Sequence, residues 1–302
     1  MTKLAYLGTP ELSVGPLLSL VAAGHDVTQV ISRPDAKRGR GGALIESPVK
    51  AAAQTLGIEV TDTLASLRFD DIDLAVVVAY GAIIPTALLD KVPMVNIHFS
   101  LLPRWRGAAP VERAILAGDQ VTGVTIMAIE PSLDSGPIYS VASTPVEDKT
   151  LAELQAELSS MGAGLLVELV DRWCDDRPVP SEQSGEITYA KKIDPRELEL
   201  DLHASAIHGA RTVRLGRAFT FLGERRLRVL EARVVDPIGE APGTLVGTTV
   251  AFAEGALELL VVQPEGKRAI DARAWRNGIR TDGAIVLGGT QSLTGSRPRL
   301  EP

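Results

Sequence analysis

Two polar side chains stand at the end of one of the most apolar stretches of the chain. Asn96 and His98 are two residues apart in VPMVNIHFS, a run typical of a buried strand. Alternate residues of a strand point to the same side, so both side chains lie where open α/β sheets bind their ligands, at a carboxyl end. An imidazole and a carboxamide placed there can stabilise the oxygen that becomes negative when a carbonyl is attacked. The alternative is that both residues satisfy backbone groups within a packed core.

A third candidate is Asp134 in the loop EPSLDSGPI, which follows another apolar run. A carboxylate held at the same edge of the sheet would orient His98. An aspartate in a turn-like loop is also a common local cap, and this alternative stays open. Other sites are not indicated, because the dinucleotide fingerprint, the phosphate-binding loop and G-x-S-x-G are absent. Four scattered histidines and the single Cys174 predict no metal site and no intramolecular disulfide.

The elements that must position these residues follow from the hydrophobic pattern. Four apolar runs are typical of strands: KLAYLG, DVTQVIS, IDLAVVVAYG and VPMVNIHFS. They alternate with helical stretches, of which SPVKAAAQTLG begins with a capping Ser47 and Pro48. TGVTIMAI and GPIYSVASTPV extend the sheet, and a long amphipathic helix follows from residue 150 to residue 174. This order predicts an α/β fold with a mostly parallel sheet and helices on both faces.

The last third of the chain has a different pattern. A charged, proline-containing stretch predicts a linker, so that we expect domains at 1–180 and 205–302 with the linker at 181–204. After a helix near residues 204–215, four segments are typical of short strands: RAFTFLGERRLRVLEARVV, GTLVGTTVAFAEG, ALELLVVQPEG and KRAIDARAW. They predict a small barrel of about five strands, a shape often used for oligonucleotide binding. A barrel that serves only as a structural lid is the alternative.

Charge is distributed unevenly along the 302 residues, whose formal net charge is −7. From Ala206 to Pro302 there are 14 Lys and Arg against 10 Asp and Glu, whereas the remainder has 17 against 28. This asymmetry favours a basic module joined to an acidic one, although a solvated arginine-rich face would look the same. The longest apolar run, at 74–89, is too short to span a membrane, and the N-terminal MTKLAYLGTP lacks the charged-then-apolar pattern of a signal peptide. We therefore expect a cytoplasmic protein with no membrane contact.

A long stretch around these residues resembles a known family. NIHFSLLPRWRGAAPVERAILAGDQVTGVTIMAIEPSLDSGPI is similar to the signature region of the folate-dependent formyltransferases, and among them of those that act on methionyl-tRNA. The resemblance continues through GTPELSV, SRPDAKRGRGGALIESPVKAAA, VVVAYGAIIP, TYAKKI and VQPEGKRA. It implies a Rossmann-like formyl-donor domain, followed by an OB-like barrel that helps to hold tRNA.

The resemblance also implies a reaction. Asn96, His98 and Asp134 would be the catalytic residues, the co-substrate 10-formyltetrahydrofolate, and the acceptor the methionine α-amino group of initiator methionyl-tRNA. The loop SLLPRWRGAAP would shape the folate cleft together with VVVAYGAIIP. The folate contacts expected on this basis are Val78, Ala79, Tyr80, Gly81, Ser100, Leu101, Leu102 and Pro103. We expect no metal and a monomeric enzyme.

Two basic regions would contact the tRNA on the same basis. The segment Arg33–Ser47 is similar to the family's mobile loop, with Arg40 at its key arginine and Lys37 and Arg38 beside it. Without the resemblance the segment would be interpreted as a solvated loop. In the barrel, the residues expected to contact the tRNA backbone are Arg211, Arg214, Arg217, Arg225, Arg226 and Arg228.

The sequence departs from the family pattern at two places. Ser132 stands where a glycine is common before the aspartate, and RLGRAFTFLGERR replaces a segment rich in proline and tryptophan. Other functions that keep the three residues are formyl transfer to an amino sugar or a ribonucleotide, and hydrolysis of formyltetrahydrofolate. A non-catalytic RNA-binding protein is the alternative from another class. The basic loop and the barrel favour the tRNA substrate.

Overall fold

The computed structural model describes residues 2–38, 42–279 and 284–289. The chain forms two compact units. The first contains Met1–Val111, Gln120–Pro145 and Glu153–Lys191, and the second contains Glu112–Asp119, Val146–Ala152 and Lys192–Pro302. The limits at residues 180 and 205 stay a prediction. Within the described ranges, no helix is both long and apolar enough to cross a membrane.

The strands and helices of the amino-terminal part alternate, as the hydrophobic pattern predicts. The strands are β1 Lys3–Gly8, β2 Asp26–Ile31, β3 Ala36–Arg38, β4 Ala43–Ile45, β5 Glu59–Thr61, β6 Leu74–Val78, β7 Met94–His98, β8 Arg106–Gly107, β9 Val121–Ala128, β10 Ile138–Pro145 and β11 Tyr189–Ala190. The helices are α1 Val14–Ala22, α2 Pro48–Thr55, α3 Thr86–Leu89, α4 Pro110–Ala117 and α5 Leu151–Trp173. Short 3-10 turns occupy Glu11–Ser13, Leu64–Ser66 and Phe69–Asp71.

The main sheet has the strand order β10-β9-β7-β6-β1-β2-β5. Neighbours from β7 to β5 are parallel, whereas β9 and β10 are antiparallel, so the predicted mostly parallel sheet is confirmed. The chain moves outward from β1 in both directions, which places a topological switch point between β1 and β6. β7 adjoins β6, with Val77 opposite Asn96 and Val78 opposite Ile97. The end of β7 is therefore next to the crevice in which such sheets bind ligands.

Both faces of this sheet are covered. On one face Val77 and Met94 belong to a buried cluster that also contacts leucines of α3. On the other face α5 packs against Ile97, because a Cβ added to Gly162 would come within 2.9 Å of the Cγ2 atom of Ile97. Asn96 and His98 alternate with Ile97, so they point to the side on which Met94 lies.

The start of α2 illustrates how local sequence sets an element. Ser47 accepts a hydrogen bond from the Lys50 amide at 3.0 Å, and Pro48 occupies the first helical position. Gly57, with φ +71°, follows the helix end. These features confirm the helix predicted for SPVKAAAQTLG.

The stretch predicted as a linker is in part structured. Ser181 pairs with Ile138, and the short strand β11 pairs in parallel with β8. A two-residue strand has no periodicity, so the hydrophobic pattern does not show it. This part of the chain, from residue 181 to residue 190, is called the brace below, because it contacts the loop after β7.

The second unit is built around a twisted antiparallel sheet. Its elements are α6 Ala206–Arg214, β12 Phe219–Leu222, β13 Arg225–Val235, β14 Thr244–Val246, β15 Thr249–Ala251, β16 Ala256–Pro264, β17 Ile270–Asp271, α7 Ala272–Asn277 and β18 Ile285–Val286, after a 3-10 turn at Pro195–Leu198. The order is β12-β13-β16-β15-β14-β18, with β17 paired to β16. A bridge between Leu222 and Leu287 links the two ends and nearly closes the barrel. The prediction of a barrel is confirmed.

Two details of the barrel differ from the sequence prediction. The described residues form seven strands rather than about five, because β14, β15 and β18 are each only two or three residues long. KRAIDARAW is not a strand beyond Asp271. Asp271 accepts hydrogen bonds from the amides of Arg273 and Ala274 at 2.9 and 3.1 Å and so begins α7.

Candidate active site

The imidazole of His98 is held at the end of β7. The residue is 5% exposed, and its Nε2 lies 2.8 Å from the carbonyl oxygen of Trp105. A carbonyl oxygen can only accept a hydrogen bond, so Nε2 carries a proton and donates it. In the neutral ring the free lone pair is therefore on Nδ1. That nitrogen is 3.6 Å from Oδ2 of Asp134.

Asp134 is fixed by its backbone and by its carboxylate. Its φ is +47°, a left-handed conformation that aspartate tolerates better than most residues. Oδ2 accepts a hydrogen bond from the Gly107 amide at 2.8 Å. The left-handed residue is Asp134 and not Ser132, so a serine in place of glycine at position 132 causes no backbone strain here. The Ser132 carbonyl instead accepts a hydrogen bond from the Ser135 hydroxyl at 3.1 Å, which closes the turn.

The loop reaches His98 by a different route from the one expected. β9 is antiparallel to β7, so Ala128 at its end pairs with Val95 and not with His98. The loop must therefore run back along the sheet to bring Asp134 to His98. Gly136 makes this possible, because a Cβ at that position would lie 2.0 Å from the Ala128 carbonyl oxygen. The two residues meet through this return, not through a shared strand direction.

Asn96 supplies a hydrogen-bond donor that is still available. Its side chain is partly exposed and makes no hydrogen bond to any other residue that the structure describes. It lies on the same side of β7 as His98. A primary carboxamide has two N–H donors, so Asn96 can bind an oxygen that approaches the end of the strand. The core alternative does not explain Asn96, although it accounts in part for the buried ring of His98.

The residues expected to contact folate after β6 lie beside this group. Val78 ends β6, and Ala79 and Gly81 both have left-handed backbones, with φ +44° and +80°. Strain of this kind in a non-glycine residue is common at functional sites. The turn is tied to the switch point, since the Tyr80 carbonyl accepts a hydrogen bond from the Thr9 hydroxyl at 2.9 Å. Burial raises the pKa of the Tyr80 phenol, so this group stays protonated.

The residues expected to contact folate after β7 form a tight turn. Ser100 is fully buried, and its hydroxyl donates to the Arg104 carbonyl at 2.6 Å. Its own carbonyl accepts a hydrogen bond from the Thr125 hydroxyl at 2.7 Å. The Ser100 side chain therefore stabilises the turn. Its next residues are Leu101, Leu102 and Pro103, close to His98 in the chain.

Three polar residues next to the site, Gln183, Arg106 and Thr188, were given no individual role by the sequence. Gln183 donates to the carbonyl of Asp134 at 2.9 Å and accepts from Arg106 Nη2 at 2.6 Å. The hydroxyl of Thr188 accepts a hydrogen bond from the Trp105 amide at 2.8 Å. Periodicity gives no sign of these contacts. The signals in the sequence were two matches to the family: TYAKKI, which includes Thr188, and SLLPRWRGAAP, which includes Arg106.

The basic segment before α2 is described only in part. Lys37 and Arg38 lie on β3, which pairs with β4 in a short antiparallel hairpin. Arg40 lies outside the described residues. The predicted tRNA contacts in this segment therefore stay predictions.

The predicted arginine contacts in the barrel fall into two groups. Arg214 donates to the Lys149 carbonyl at 2.8 Å, and its burial lowers its pKa. Arg211 donates to the Ala117 carbonyl at 3.5 Å, and Arg228 bonds to Gln263 at 3.0 Å. These guanidinium groups bind other residues of the second unit. A second group consists of Arg217, 4.0 Å from Glu112; Arg226, stacked on Phe219; and the exposed Arg225.

A metal ion has no evident place among these residues. In the described parts of the chain, no three His, Cys, Asp or Glu side chains are grouped so that they could hold one. The site instead offers one imidazole, one carboxylate and one carboxamide at the end of a strand. These groups can stabilise negative charge on an oxygen and move a proton.

Fold and site together define an α/β enzyme suited to attack on a carbonyl carbon. The chain belongs to the formyl transferase family, because the model of the formyl transferase domain matches residues 4–170. The model of the formyl transferase C-terminal domain matches residues 192–280. The two matches fall on the sheet of the first unit and on the barrel of the second.

Curated relatives are similar over nearly the whole chain. A methionyl-tRNA formyltransferase from Jannaschia sp. (strain CCS1) is 42% identical over 94% of this chain and 99% of its own. One from Novosphingobium aromaticivorans is 43% identical over 95% of this chain and 100% of its own. The high coverage of both chains means that the similarity includes both units.

Solved structures show the same fold. HypX from Aquifex aeolicus in complex with tetrahydrofolic acid matches 95% of this chain and 50% of its own, with a TM-score of 0.65 and 15% identity. A methionyl-tRNA formyltransferase from Clostridium thermocellum matches 90% of this chain and 100% of its own, with a TM-score of 0.53 and 14% identity. At such identities the likeness concerns the fold alone.

Proposed function

We propose that the enzyme transfers a formyl group from 10-formyltetrahydrofolate to the α-amino group of methionine on initiator methionyl-tRNA. The observation that carries the proposal is the imidazole of His98, held between the Trp105 carbonyl and Asp134 with Asn96 beside it. The product would be N-formylmethionyl-tRNA, the substrate of translation initiation.

In the proposed reaction the amine nitrogen attacks the formyl carbon, and the carbonyl oxygen becomes negative. Asn96 donates a hydrogen bond to this oxygen from its open carboxamide. When Nδ1 of His98 is protonated, the imidazolium lies next to the same strand end and adds positive charge. The two groups stabilise the tetrahedral intermediate together.

The proton of the attacking amine must reach the leaving nitrogen of the folate. Nδ1 of His98 carries the lone pair in the neutral ring, so it accepts that proton. Asp134, 3.6 Å away, stabilises the imidazolium that results. The proton then passes to N10 as its bond to the formyl carbon breaks, and a new bond joins that carbon to the amine. No covalent enzyme intermediate is required.

The residues expected to bind the two substrates keep their proposed roles. The strained turn of Ala79 and Gly81, next to the end of β7, supports a folate site formed by Val78–Gly81 and Ser100–Pro103. For the tRNA we propose Lys37, Arg38 and Arg40, together with the exposed cations of the barrel. We further propose that the enzyme is cytoplasmic and acts as a monomer; light scattering on the purified protein would test the oligomeric state.

The other acceptors have less support. Relatives at 42–43% identity over most of the chain are named methionyl-tRNA formyltransferases. The N-formyltransferase from Helicobacter canadensis, solved in complex with folinic acid and dTDP-3-aminofucose, shares the fold at 18% identity. No feature of the described residues favours an amino sugar, a ribonucleotide or water as the acceptor. The same three residues make an inactive RNA-binding protein the weaker interpretation.

The test is an assay of the purified protein with methionyl-initiator tRNA and 10-formyltetrahydrofolate. N-formylmethionine is measured after hydrolysis of the ester, with uncharged tRNA and free methionine as controls. We expect product only from the charged tRNA. Absence of product together with measurable folate binding would contradict this acceptor, and amino-sugar and nucleotide substrates would be tested next.

A further inference from the structure

The brace, residues 181–190, is exposed except at three positions. Gln183 and Thr188 are half-buried, and Ala190 is 1% exposed. The first two are polar and lie in the contact with the loops around His98. An exposed, charged segment gains little from burying polar side chains unless their hydrogen bonds matter. The hydrogen bonds of Gln183 and Thr188 are therefore what sets these two residues apart from the rest of the brace.

The carboxamide of Gln183 uses both of its ends. Nε2 donates to the carbonyl oxygens of Asp134 and Gly136 at 2.9 and 2.8 Å. Oε1 accepts from Nε and Nη2 of Arg106 at 3.1 and 2.6 Å. One side chain thus joins the loop of Asp134 to the strand β8. This connection holds Asp134 in its left-handed conformation next to His98.

Thr188 acts on the other member of the pair. Its hydroxyl accepts a hydrogen bond from the Trp105 amide at 2.8 Å, and its carbonyl accepts one from the Arg106 amide at 2.9 Å. Trp105 has φ +62°, which is unfavourable for a bulky residue and needs support from its surroundings. The Trp105 carbonyl is the acceptor for Nε2 of His98. Thr188 therefore fixes the group that selects the tautomer of His98.

We propose that Gln183 and Thr188 are positioning residues for the reaction, Gln183 through Asp134 and Thr188 through the Trp105 carbonyl and His98. The inference rests on the proposed formyl transfer. Neither side chain needs to touch a substrate. A displacement of about 1 Å at reacting groups can cost about 100-fold in rate, so both bonds should affect kcat more than KM.

Thr188 offers a matched pair of variants. Thr188→Val keeps the shape but removes the acceptor, whereas Thr188→Ser keeps the hydroxyl. We expect kcat to fall about 10- to 100-fold in Thr188→Val, with KM within about twofold of wild type. Thr188→Ser should keep most of the wild-type kcat. Equal losses in both variants would overturn the role of the hydroxyl.

A spectroscopic readout separates positioning from general loss of structure. The ¹⁵N chemical shifts of the His98 ring report which nitrogen carries the proton. In the wild-type protein we expect the Nε2–H tautomer at neutral charge, and in Thr188→Val a mixture of tautomers. Unchanged ring shifts in Thr188→Val would overturn this half of the proposal. The readout needs no substrate, so it holds even if the enzyme proves inactive in the assay above.

Gln183 is tested with Gln183→Met and Gln183→Glu. Methionine removes both donors and acceptors, whereas an ionised carboxyl still accepts from Arg106 but cannot donate to Asp134 and Gly136. We expect both variants to lose about 10-fold or more in kcat with KM nearly unchanged. Glu182→Gln, at the exposed neighbouring position, is the control and should behave as wild type.

The outcomes distinguish the two proposals. Wild-type protein without formylated product would contradict the proposed function, whatever the variants do. Active wild type with Gln183→Met and Thr188→Val both within about twofold of its kcat would overturn the positioning role alone. A parallel loss of kcat, substrate binding and thermal stability would assign the segment to folding instead.

Discussion

The surroundings of His98 and the exposed tip of the barrel use polar residues in opposite ways. Around His98 a series of polar groups is held in place, from the Thr188 hydroxyl through the Trp105 backbone to the ring and Asp134, while Asn96 keeps a free donor among the described residues. Arg225, at the turn between β12 and β13, is exposed on the surface. The rate of reaction at the first depends on atomic positions accurate to about 1 Å. The affinity of the second for a polyanion depends on its total positive charge.

The cations at this tip come from two neighbouring turns. Arg226 and Glu265 are joined by a hydrogen bond from the Glu265 amide to the Arg226 carbonyl at 3.0 Å. Lys267 and Arg268 follow in the second turn and are exposed. Charges on such exposed surfaces attract a polyanion without a fixed geometry. Substitutions near His98 should therefore have large effects on rate, and substitutions at the tip should have small effects on affinity.

The largest effect is expected for His98→Ala. It removes both the proton acceptor and the cation, so kcat should fall at least about 1000-fold. Affinity for charged tRNA should stay within about twofold, because the ring is only 5% exposed and offers little surface to a polyanion. Single-turnover rates and filter binding measure the two quantities. A loss of tRNA affinity as large as the loss of kcat would contradict the separation of catalysis at His98 from tRNA binding at the barrel.

Asp134→Asn should have the next largest effect. Asparagine tolerates the left-handed backbone at this position, so the loop should keep its course. The negative charge beside Nδ1 is lost, and kcat should fall about 100-fold. Circular dichroism and the melting temperature serve as the control for folding. Activity within about twofold of wild type would remove Asp134 from the mechanism.

Gly136→Ala tests whether position rather than charge matters near His98. The new Cβ would meet the Ala128 carbonyl oxygen, so we expect a loss of about 1–3 kcal/mol in unfolding free energy and a displaced Asp134. Gly164→Ala is the matched control. It lies in α5 with open space around its Cβ and should stabilise the protein by about 0.5–1 kcal/mol. Chemical denaturation measures both, and similar values for the two variants would contradict the argument.

Arg225→Ala should have the smallest effect. Loss of one phosphate contact should weaken tRNA binding about fivefold at 0.15 M salt and reduce the slope of log K against log salt by about 1. Binding titrations at several salt concentrations give both values. Arg172→Ala removes an exposed arginine that pairs with Asp176 on the first unit, and it serves as the control. An unchanged slope for Arg225→Ala would exclude a contact with phosphate.

Much of the fold followed from the sequence because it depends on local patterns. Strand alternation brought Asn96 and His98 to one side of β7, and the Ser47-Pro48 pair marked the start of α2. Asp134 was found as a polar residue in a turn. Its route to His98 was not, because a hydrophobic run does not tell whether a strand is parallel or antiparallel.

What the sequence did not show depends on contacts between distant residues. Gln183 and Thr188 lie in a charged stretch without periodicity, and their partners are about 50 to 80 residues earlier in the chain. The barrel arginines could not be sorted either, since Arg214 and Arg225 look alike in the sequence. Only the fold shows that one bonds to backbone carbonyls and the other faces solvent.

The bridge between Leu222 and Leu287 has a consequence for synthesis of the chain. The barrel begins at Phe219, but its two ends meet only through Leu287, which is synthesised after every strand of the barrel. Until that residue has left the ribosome, β12 and β14 each keep an unpaired edge, and exposed edges invite pairing with other chains. The sheet of the first unit has no such dependence on the final strand. The nascent enzyme would thus complete its catalytic sheet before its barrel, and the barrel would stay vulnerable to aggregation until Leu287 has emerged.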